Sequence, residues 1–371
     1  MQGAKNSERG GERERSGADG QARGLAAATA AARPGSQAGV AHLGASRWSL
    51  LGLGLLSGLI FFTGAPSAHG FVRSRTRSCQ PVFWPQSCLY VQPDGDLLGD
   101  DLAPATVVAA IQSGVQAWND HLEVSSFLQL RYLAPRGPQE VNPLDGLQLL
   151  KFRRDRWCRP PTATTSMQVC FDQSATAVTT VTFINRPTDP AVDGRIIDAD
   201  IDFNAVNFRF YNADEGLPGG SGGRSPVDLW NTVTHELGHV MGLEHPCSLF
   251  PGALAECVVD DQGVPVPDCS VVEQDRYRDL HLQTIYESTM YPTSAPGETN
   301  KRLPHADDVA GIITAYPKVK DPMTCRLPLV AQNAGCAAPA AAAVHSTTPL
   351  LAGALLALLA ALRTLRRRGR P

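Results

Sequence analysis

The chain has few features of a membrane-spanning or nucleic-acid-binding protein. Its longest apolar segments, residues 50–62 and 350–362, have about thirteen residues each, whereas a membrane-spanning helix needs roughly twenty. Charge of one sign does not dominate, since 33 Lys and Arg residues stand against 36 Asp and Glu residues and the net charge is −3. A weak overall field gives no indication of a nucleic-acid partner. None of the 9 cysteines forms a C-x-x-C pair, which argues against a structural zinc site built from thiolates.

Histidine is also scarce, but three of the 9 histidines lie in one short segment. Residues 235–245 read His-Glu-Leu-Gly-His-Val-Met-Gly-Leu-Glu-His. His235 and His239 are four residues apart, so on a helix their rings share one face, while Glu236 can reach a water on a shared ion. Gly242 can adopt positive φ and end the helix, which lets His245 approach the same ion. Three neutral imidazoles leave a fourth tetrahedral position open, as a catalytic zinc requires.

This pattern, H-E-x-x-H-x-x-G-x-x-H, resembles the zinc-binding motif of the metzincin peptidases. A candidate for the second element of that family, the Met-turn, is Met290 within Ser-Thr-Met-Tyr-Pro at residues 288–292. Further strings, at residues 200–204 and 303–317, resemble the matrixins, the bacterial relatives of matrix metalloproteases. The resemblance implies an α+β domain with a twisted, mostly parallel five-stranded sheet, an antiparallel edge strand and three helices. It also implies that Met290 forms an apolar floor under the histidines without binding the ion.

Hydrophobic periodicity predicts the elements of such a domain. Residues 105–122 carry apolar side chains at helical spacing, and the motif helix is expected to begin with Ser225 as its N-cap and Pro226 as its first residue. A closing helix is predicted over residues 303–316. β-Branched and aromatic residues predict five strands, at residues 82–92, 127–133, 146–152, 177–185 and 195–203.

The motif and the resemblance together predict a zinc-dependent endopeptidase that acts as a monomer. Zinc would lower the pKa of its bound water to roughly 7, and Glu236 would take the proton as the water attacks a peptide carbonyl. An extended peptide or protein substrate is expected to pair with the strand at residues 195–203. Tyr291 is an alternative stabiliser of the oxyanion. Two alternative functions are a catalytically silent, zinc-containing surface binding protein of the same fold and a zinc hydrolase of small amides or esters.

A second metal is predicted from the spacing of three carboxylates. Asp198, Asp200 and Asp202 have a period of two and therefore lie on one face of their strand. They are candidate ligands for Ca²⁺, and the alternative is an exposed face that water solvates without an ion. A second zinc is not expected, because Asp202 stands where the matrixins have a structural-zinc histidine.

The cysteines favour an exported protein with disulfides. Cys79 with Cys88 and Cys158 with Cys170 would form local loops, and Cys336 is the expected unpaired residue. An alternative role for Cys79 is that of a latency ligand on zinc, which a disulfide would exclude.

The two ends of the chain differ in composition from the middle. Residues 1–70 resemble a leader and secretory signal peptide, with an uncleaved membrane anchor as the alternative. Residues 71–325 are expected to form the catalytic domain, and residues 326–349 an Ala/Pro-rich linker. Residues 350–371, apolar and then Arg-rich, resemble the C-terminal sorting signals of some Gram-negative bacteria, the myxobacterial type especially. A plain amphipathic tail is the alternative. In both cases the C-terminal tail could contact a membrane. The protein is thus expected to be exported, either secreted or held at the cell surface.

Overall fold

The structure is a computed structural model that describes residues 70–97, 101–161, 166–219, 223–249 and 257–328. The predicted leader, most of the linker and the tail, Cys336 included, lie outside these residues. Within them, no helix combines the length and the apolar character needed to cross a bilayer.

A five-stranded sheet forms the centre of the fold. Its strands are β2 (Cys88–Pro93), β3 (Gln129–Tyr132), β4 (Gln148–Arg153), β7 (Ala177–Phe183) and β8 (Ile196–Asn204). Their order across the sheet is β3-β2-β4-β8-β7. All neighbouring pairs are parallel except β7 with β8, so the predicted mostly parallel sheet with an antiparallel edge is confirmed. The predicted strand at residues 195–203 corresponds to β8, which lies between β4 and β7. An added peptide cannot pair with an interior strand, so the expected docking strand was wrong, and β7 is the edge strand on that side.

Six shorter strands complete the β structure of the described residues. They form three two-stranded pairs, β1 (Val72–Arg73) with β11 (Leu243–Glu244), β5 (Cys158–Arg159) with β6 (Val169–Cys170), and β9 (Phe208–Tyr211) with β10 (Ser225–Asp228). The last pair is parallel and shows that the predicted start of the motif helix was wrong. Ser225 and Pro226 belong to β10, because residues of β9 are available to pair with them. The helix begins at Leu229 instead, and the side chain of its N-cap Asp228 accepts a 2.8 Å hydrogen bond from the amide of Asn231.

The described residues contain five α-helices instead of the expected three. They are α1 (Pro104–Leu122), α2 (Leu229–Val240), α3 (Cys269–Asp275), α4 (Leu280–Glu287) and α5 (Ala306–Ala315). The two additional helices, α3 and α4, lie in the segment between His245 and Met290, for which hydrophobic periodicity predicted no element. They are stabilised by a small second core, in which Val272 and Ile285 pack with the disulfide-bonded Cys247 and Cys269.

Three buried aromatic side chains hold α2 in place by binding its main-chain carbonyls. The indole of Trp118 donates to Thr234 at 2.9 Å and the indole of Trp84 to Val240 at 2.7 Å, while the hydroxyl of Tyr316 donates to Met241 at 2.8 Å. The carbonyls of Val240 and of the C-cap Met241 lie at the end of the helix, where they have no partner within it, so donors from elsewhere satisfy them, whereas the carbonyl of Thr234 gains a second donor in the helix interior. The side chains of Val233, Leu237 and Val240 pack into the main core and are fully buried. The position of the motif helix is therefore determined by both its apolar face and its C-terminal end.

Four disulfides cross-link the described chain, two of them between segments far apart in sequence. They are Cys79–Cys257, Cys88–Cys325, Cys158–Cys170 and Cys247–Cys269. The predicted Cys158–Cys170 pair is confirmed, whereas the Cys79–Cys88 pair is wrong. Cys88 begins the interior strand β2, whereas Cys79 lies in a preceding turn next to Cys257, with which it pairs. Several disulfides suggest an extracellular protein.

Candidate metal centre

Helix α2 and the turn after it bring three histidine side chains together. His235 and His239 are one helical turn apart, with their ring centroids 5.0 Å from each other. The helix ends at Val240, and Gly242 has a φ of 94°, a conformation that glycine adopts without strain, so the chain reverses there. His245 follows, and its Nε2 atom lies 3.4 Å from Nε2 of His235 and 3.1 Å from Nε2 of His239. Within the described residues this is the one group of three or more His, Cys, Asp or Glu side chains whose ligand atoms all lie within 4.8 Å of one another.

The outer ring nitrogens of two histidines donate to main-chain carbonyls. Nδ1 of His235 lies 2.7 Å from the carbonyl oxygen of Thr289, and Nδ1 of His239 lies 2.9 Å from that of Leu243. A neutral ring that donates from Nδ1 has its free lone pair on Nε2. These lone pairs therefore point toward a common centre, where they repel one another unless a cation lies between them.

The environment of the rings favours the neutral form that binds metals. Burial lowers the pKa of His235 well below its ordinary value, and the fields of His239 and His245 lower it further. Burial, followed by the field of His239, lowers the pKa of His245 to about 4. Both imidazoles are therefore unprotonated at neutral pH.

Glu236 lies on α2 next to the first histidine and is 4% exposed. Its Oε2 atom accepts a 2.6 Å hydrogen bond from the hydroxyl of Thr179 on β7. Burial raises the pKa of the Glu236 carboxyl, while the field of His239 and the hydrogen bonds from the side chain and the main chain of Thr179 oppose that rise. The carboxyl is thus bound to the sheet edge through Thr179.

Met290 packs against α2 at the level of the histidines and is 1% exposed. A Cβ atom on Gly238 would lie 2.3 Å from Sδ of Met290, so the thioether occupies the space that this glycine leaves. The preceding residue, Thr289, supplies the carbonyl for His235, and its amide donates to Oδ2 of Asp308 at 2.7 Å. Burial raises the pKa of Asp308 to about 7. The buried Asp308 therefore fixes the peptide segment that orients the ring of His235.

No protein-family model and no curated sequence matches the chain. The chemistry of the centre follows from the ring positions, their outer hydrogen bonds and the adjacent carboxyl. These features make a buried to half-buried site that could hold a metal ion.

The three aspartates Asp198, Asp200 and Asp202 of β8 are buried, so the alternative of an exposed face that water solvates was wrong. Asp202 is 0% exposed and accepts hydrogen bonds from Nε of Arg153 at 2.7 Å and Nε of Arg159 at 2.6 Å. Two guanidinium groups therefore neutralise this carboxylate, and both of its oxygens have a partner without a metal ion. The arginines come from β4 and β5, which the spacing of the aspartates alone could not indicate.

Asp198 and Asp200 have a different environment from Asp202. Each accepts one hydrogen bond from a main-chain amide, that of Gly146 at 2.7 Å and that of Leu149 at 3.0 Å respectively. Each also has one buried oxygen without a hydrogen-bond partner among the described residues. Burial, with repulsion from Asp200, raises the pKa of Asp198 to about 9, and burial raises the pKa of Asp200 to about 7. Calcium at these two carboxylates stays a prediction.

Two alternatives for single residues do not fit the structure. The hydroxyl of Tyr291 donates to Oε1 of Glu273 at 3.3 Å, and its ring packs in the second core 4.9 Å from that of Tyr286. It is thus directed toward α3 and α4. Cys79 is in a disulfide with Cys257, and a bonded sulfur cannot act as a latency ligand.

Proposed function

We propose that this protein is an exported zinc-dependent endopeptidase that cleaves extended segments of protein substrates. The observation that carries the proposal is the convergence of three Nε2 atoms, from His235, His239 and His245, beside the buried carboxyl of Glu236. Three histidines with one open position are the ligand set of a catalytic zinc, whereas structural zinc sites are closed by four protein ligands.

The spacing of the ring nitrogens supports zinc as the ion. Zinc binds imidazole at about 2.0–2.1 Å in tetrahedral geometry, which places two ligand nitrogens about 3.3 Å apart. Two of the Nε2 separations, from His245 to His239 and from His245 to His235, are 3.1 and 3.4 Å. A zinc ion bound there would supply a Lewis acid that activates water and polarises a peptide carbonyl.

Glu236 is the residue suited to move the protons. Its carboxyl is buried, its pKa is raised, and its Oε2 atom is held by the hydroxyl of Thr179. We assign to Oε1 the transfer of a proton from the attacking water to the leaving amine. A general acid–base group of this kind contributes roughly 10²–10⁴-fold to a rate.

The edge strand β7 supplies a binding surface for an extended substrate. It pairs with β8 on one side only, and it lies close to α2 through the contact between Thr179 and Glu236. Main-chain groups on a free sheet edge can pair with a peptide strand, which gives affinity without selecting a sequence. Because β7 borders the metal centre, a peptide paired with it lies next to the proposed catalytic carboxyl.

The proposal is tested with the full-length exported protein and its Glu236→Gln variant. Both are incubated with a protein-derived peptide library, with and without a chelator, and the products are identified by mass spectrometry. We expect the wild type to cleave internal bonds in a chelator-sensitive manner, to contain one zinc per chain, and to lose at least about 100-fold in rate on substitution. Glu287→Gln, an exposed carboxylate change on α4, controls for preparation and is expected to cleave like the wild type. Equal cleavage by wild type and Glu236→Gln would refute the mechanism, and a wild type that binds zinc without cleaving would favour a binding protein.

A further inference from the structure

The hydroxyl of Thr179 joins the edge strand to the proposed catalytic carboxyl. Thr179 lies on β7, where it pairs with Ile201 of β8, and its Oγ1 atom is 2.6 Å from Oε2 of Glu236. The same Oγ1 is 3.4 Å from the main-chain oxygen of Glu236. A hydroxyl has a single proton to donate, and the shorter distance assigns it to the carboxylate.

This hydrogen bond fixes the rotation of the Glu236 carboxylate. A glutamate side chain has several rotatable bonds, and the terminal carboxylate torsion is broad. The threonine is β-branched and lies in a strand, so its hydroxyl has a restricted position. With Oε2 bound to that hydroxyl, Oε1 is the oxygen that we assign to proton transfer. Nothing in the motif around Glu236 supplies this restraint, because the donor comes from a strand 57 residues earlier in the chain.

We propose that Thr179 is a positioning residue for Glu236, which binds Oε2 and so directs Oε1 toward the water that attacks the substrate. The proposal rests on the peptidase function proposed above. It adds that one strand, β7, determines the orientation of the carboxyl while its main chain pairs with the substrate. A misplaced catalytic group costs up to roughly 100-fold in rate even when every group is present.

The test compares three variants of the full-length protein on a peptide that the wild type cleaves. Thr179→Val removes the hydroxyl with little change in shape, and Thr179→Ser retains the hydroxyl. Thr232→Val is the matched control: Thr232 is on α2 and also loses a hydroxyl, but its Oγ1 donates to the main-chain oxygen of Asp228 at 2.9 Å. For each variant kcat, KM, zinc content and thermal unfolding are measured.

We expect Thr179→Val to lower kcat by roughly tenfold to a hundredfold, with KM within about twofold and zinc content unchanged. Thr179→Ser is expected to restore most of the rate, and Thr232→Val to cleave like the wild type. An unchanged kcat in Thr179→Val, an equal loss in Thr179→Ser, or a loss confined to KM would overturn the positioning role while leaving the peptidase function intact. A wild type without peptidase activity would overturn both.

Discussion

The contact between Met290 and Gly238 gives the sharpest test of how the metal centre is supported. Gly238 lies within α2 between the two motif histidines of that helix, and Met290 is almost fully buried against it. In a helix interior, replacing glycine with alanine normally stabilises by roughly 0.5–1 kcal/mol, because glycine loses more backbone freedom on folding. The structure predicts the opposite sign for Gly238→Ala.

The magnitude follows from the distances around the added methyl group. It would lie 2.3 Å from Sδ and 3.2 Å from Cε of Met290, and 3.4 Å from Cζ2 of Trp118. Non-bonded carbon contacts are most favourable at roughly 3.5–4.0 Å, so the thioether would have to move by more than about 1 Å. Forcing an extra carbon into a packed core costs roughly 1–3 kcal/mol, which exceeds the gain in helix propensity. We expect Gly238→Ala to lower the free energy of unfolding by about 0.5–2 kcal/mol.

A double-mutant cycle isolates the cause. Met290→Ala alone should cost roughly 2–5 kcal/mol, because it leaves a cavity under the histidines. In that background the steric conflict is absent, so Gly238→Ala should become neutral or stabilising. Urea unfolding of the four zinc-loaded proteins measures the coupling, which we expect to be roughly 1–3 kcal/mol. A more stable Gly238→Ala protein, or the same cost of Gly238→Ala in both backgrounds, would refute this account of Met290 as the floor of the site.

Two further predictions concern the buried carboxylates and the second core. Burial raises the pKa of Asp200, so the folded state binds this proton more tightly than the unfolded chain does. The stability that the proton contributes is fully present below the pKa of the unfolded chain and is lost as the pH rises through about 7. Asp200→Asn should therefore be more stable than the wild type at pH 8 by roughly 1–3 kcal/mol in the presence of a calcium chelator, measured by urea unfolding; a loss of stability would show that the folded state needs the charge. Replacing Cys247 and Cys269 together with alanine opens a loop with a sequence separation of 22 and should cost about 3 kcal/mol, read as a lower thermal midpoint, and an unchanged midpoint would contradict the role assigned to the second core.

The motif was predictable because its geometry is local. The four-residue step from His235 to His239 places both rings on one face of any helix, and the positive φ of Gly242 is a property that glycine alone adopts freely. The strands of the sheet were likewise predictable, since their β-branched and aromatic residues pack on a pleated surface. The mostly parallel pairing and the antiparallel edge strand were implied by the family resemblance, and the order of the strands across the sheet was not predicted.

The features that the sequence did not reveal depend on partners far away in the chain. Cys79 pairs with a cysteine 178 residues later, and Asp202 is buried because two arginines from other strands neutralise it. Ser225 and Pro226 read as a helix start, yet a neighbouring strand was available to pair with them. Thr179 carries no sequence signal at all, because a threonine in a strand is ordinary until its neighbour is known.

The hydrogen-bond partners of the candidate metal centre show why the histidine motif alone does not specify the geometry of the site. The Nδ1 atom of His235 needs the carbonyl of Thr289, which in turn depends on the buried carboxyl of Asp308, and Glu236 needs the hydroxyl of Thr179. These three partners come from the Met290 segment, from α5 and from the sheet edge, so they assemble only when the whole domain folds. Hydrogen bonds to ligand histidines select the ring tautomer and direct Nε2 toward the ion, and their loss typically costs 10–100-fold in metal affinity or activity. We therefore expect the zinc affinity and the rate of the proposed peptidase to depend on residues that lie outside the motif in sequence and that bind the ring nitrogens and the carboxylate in the folded state.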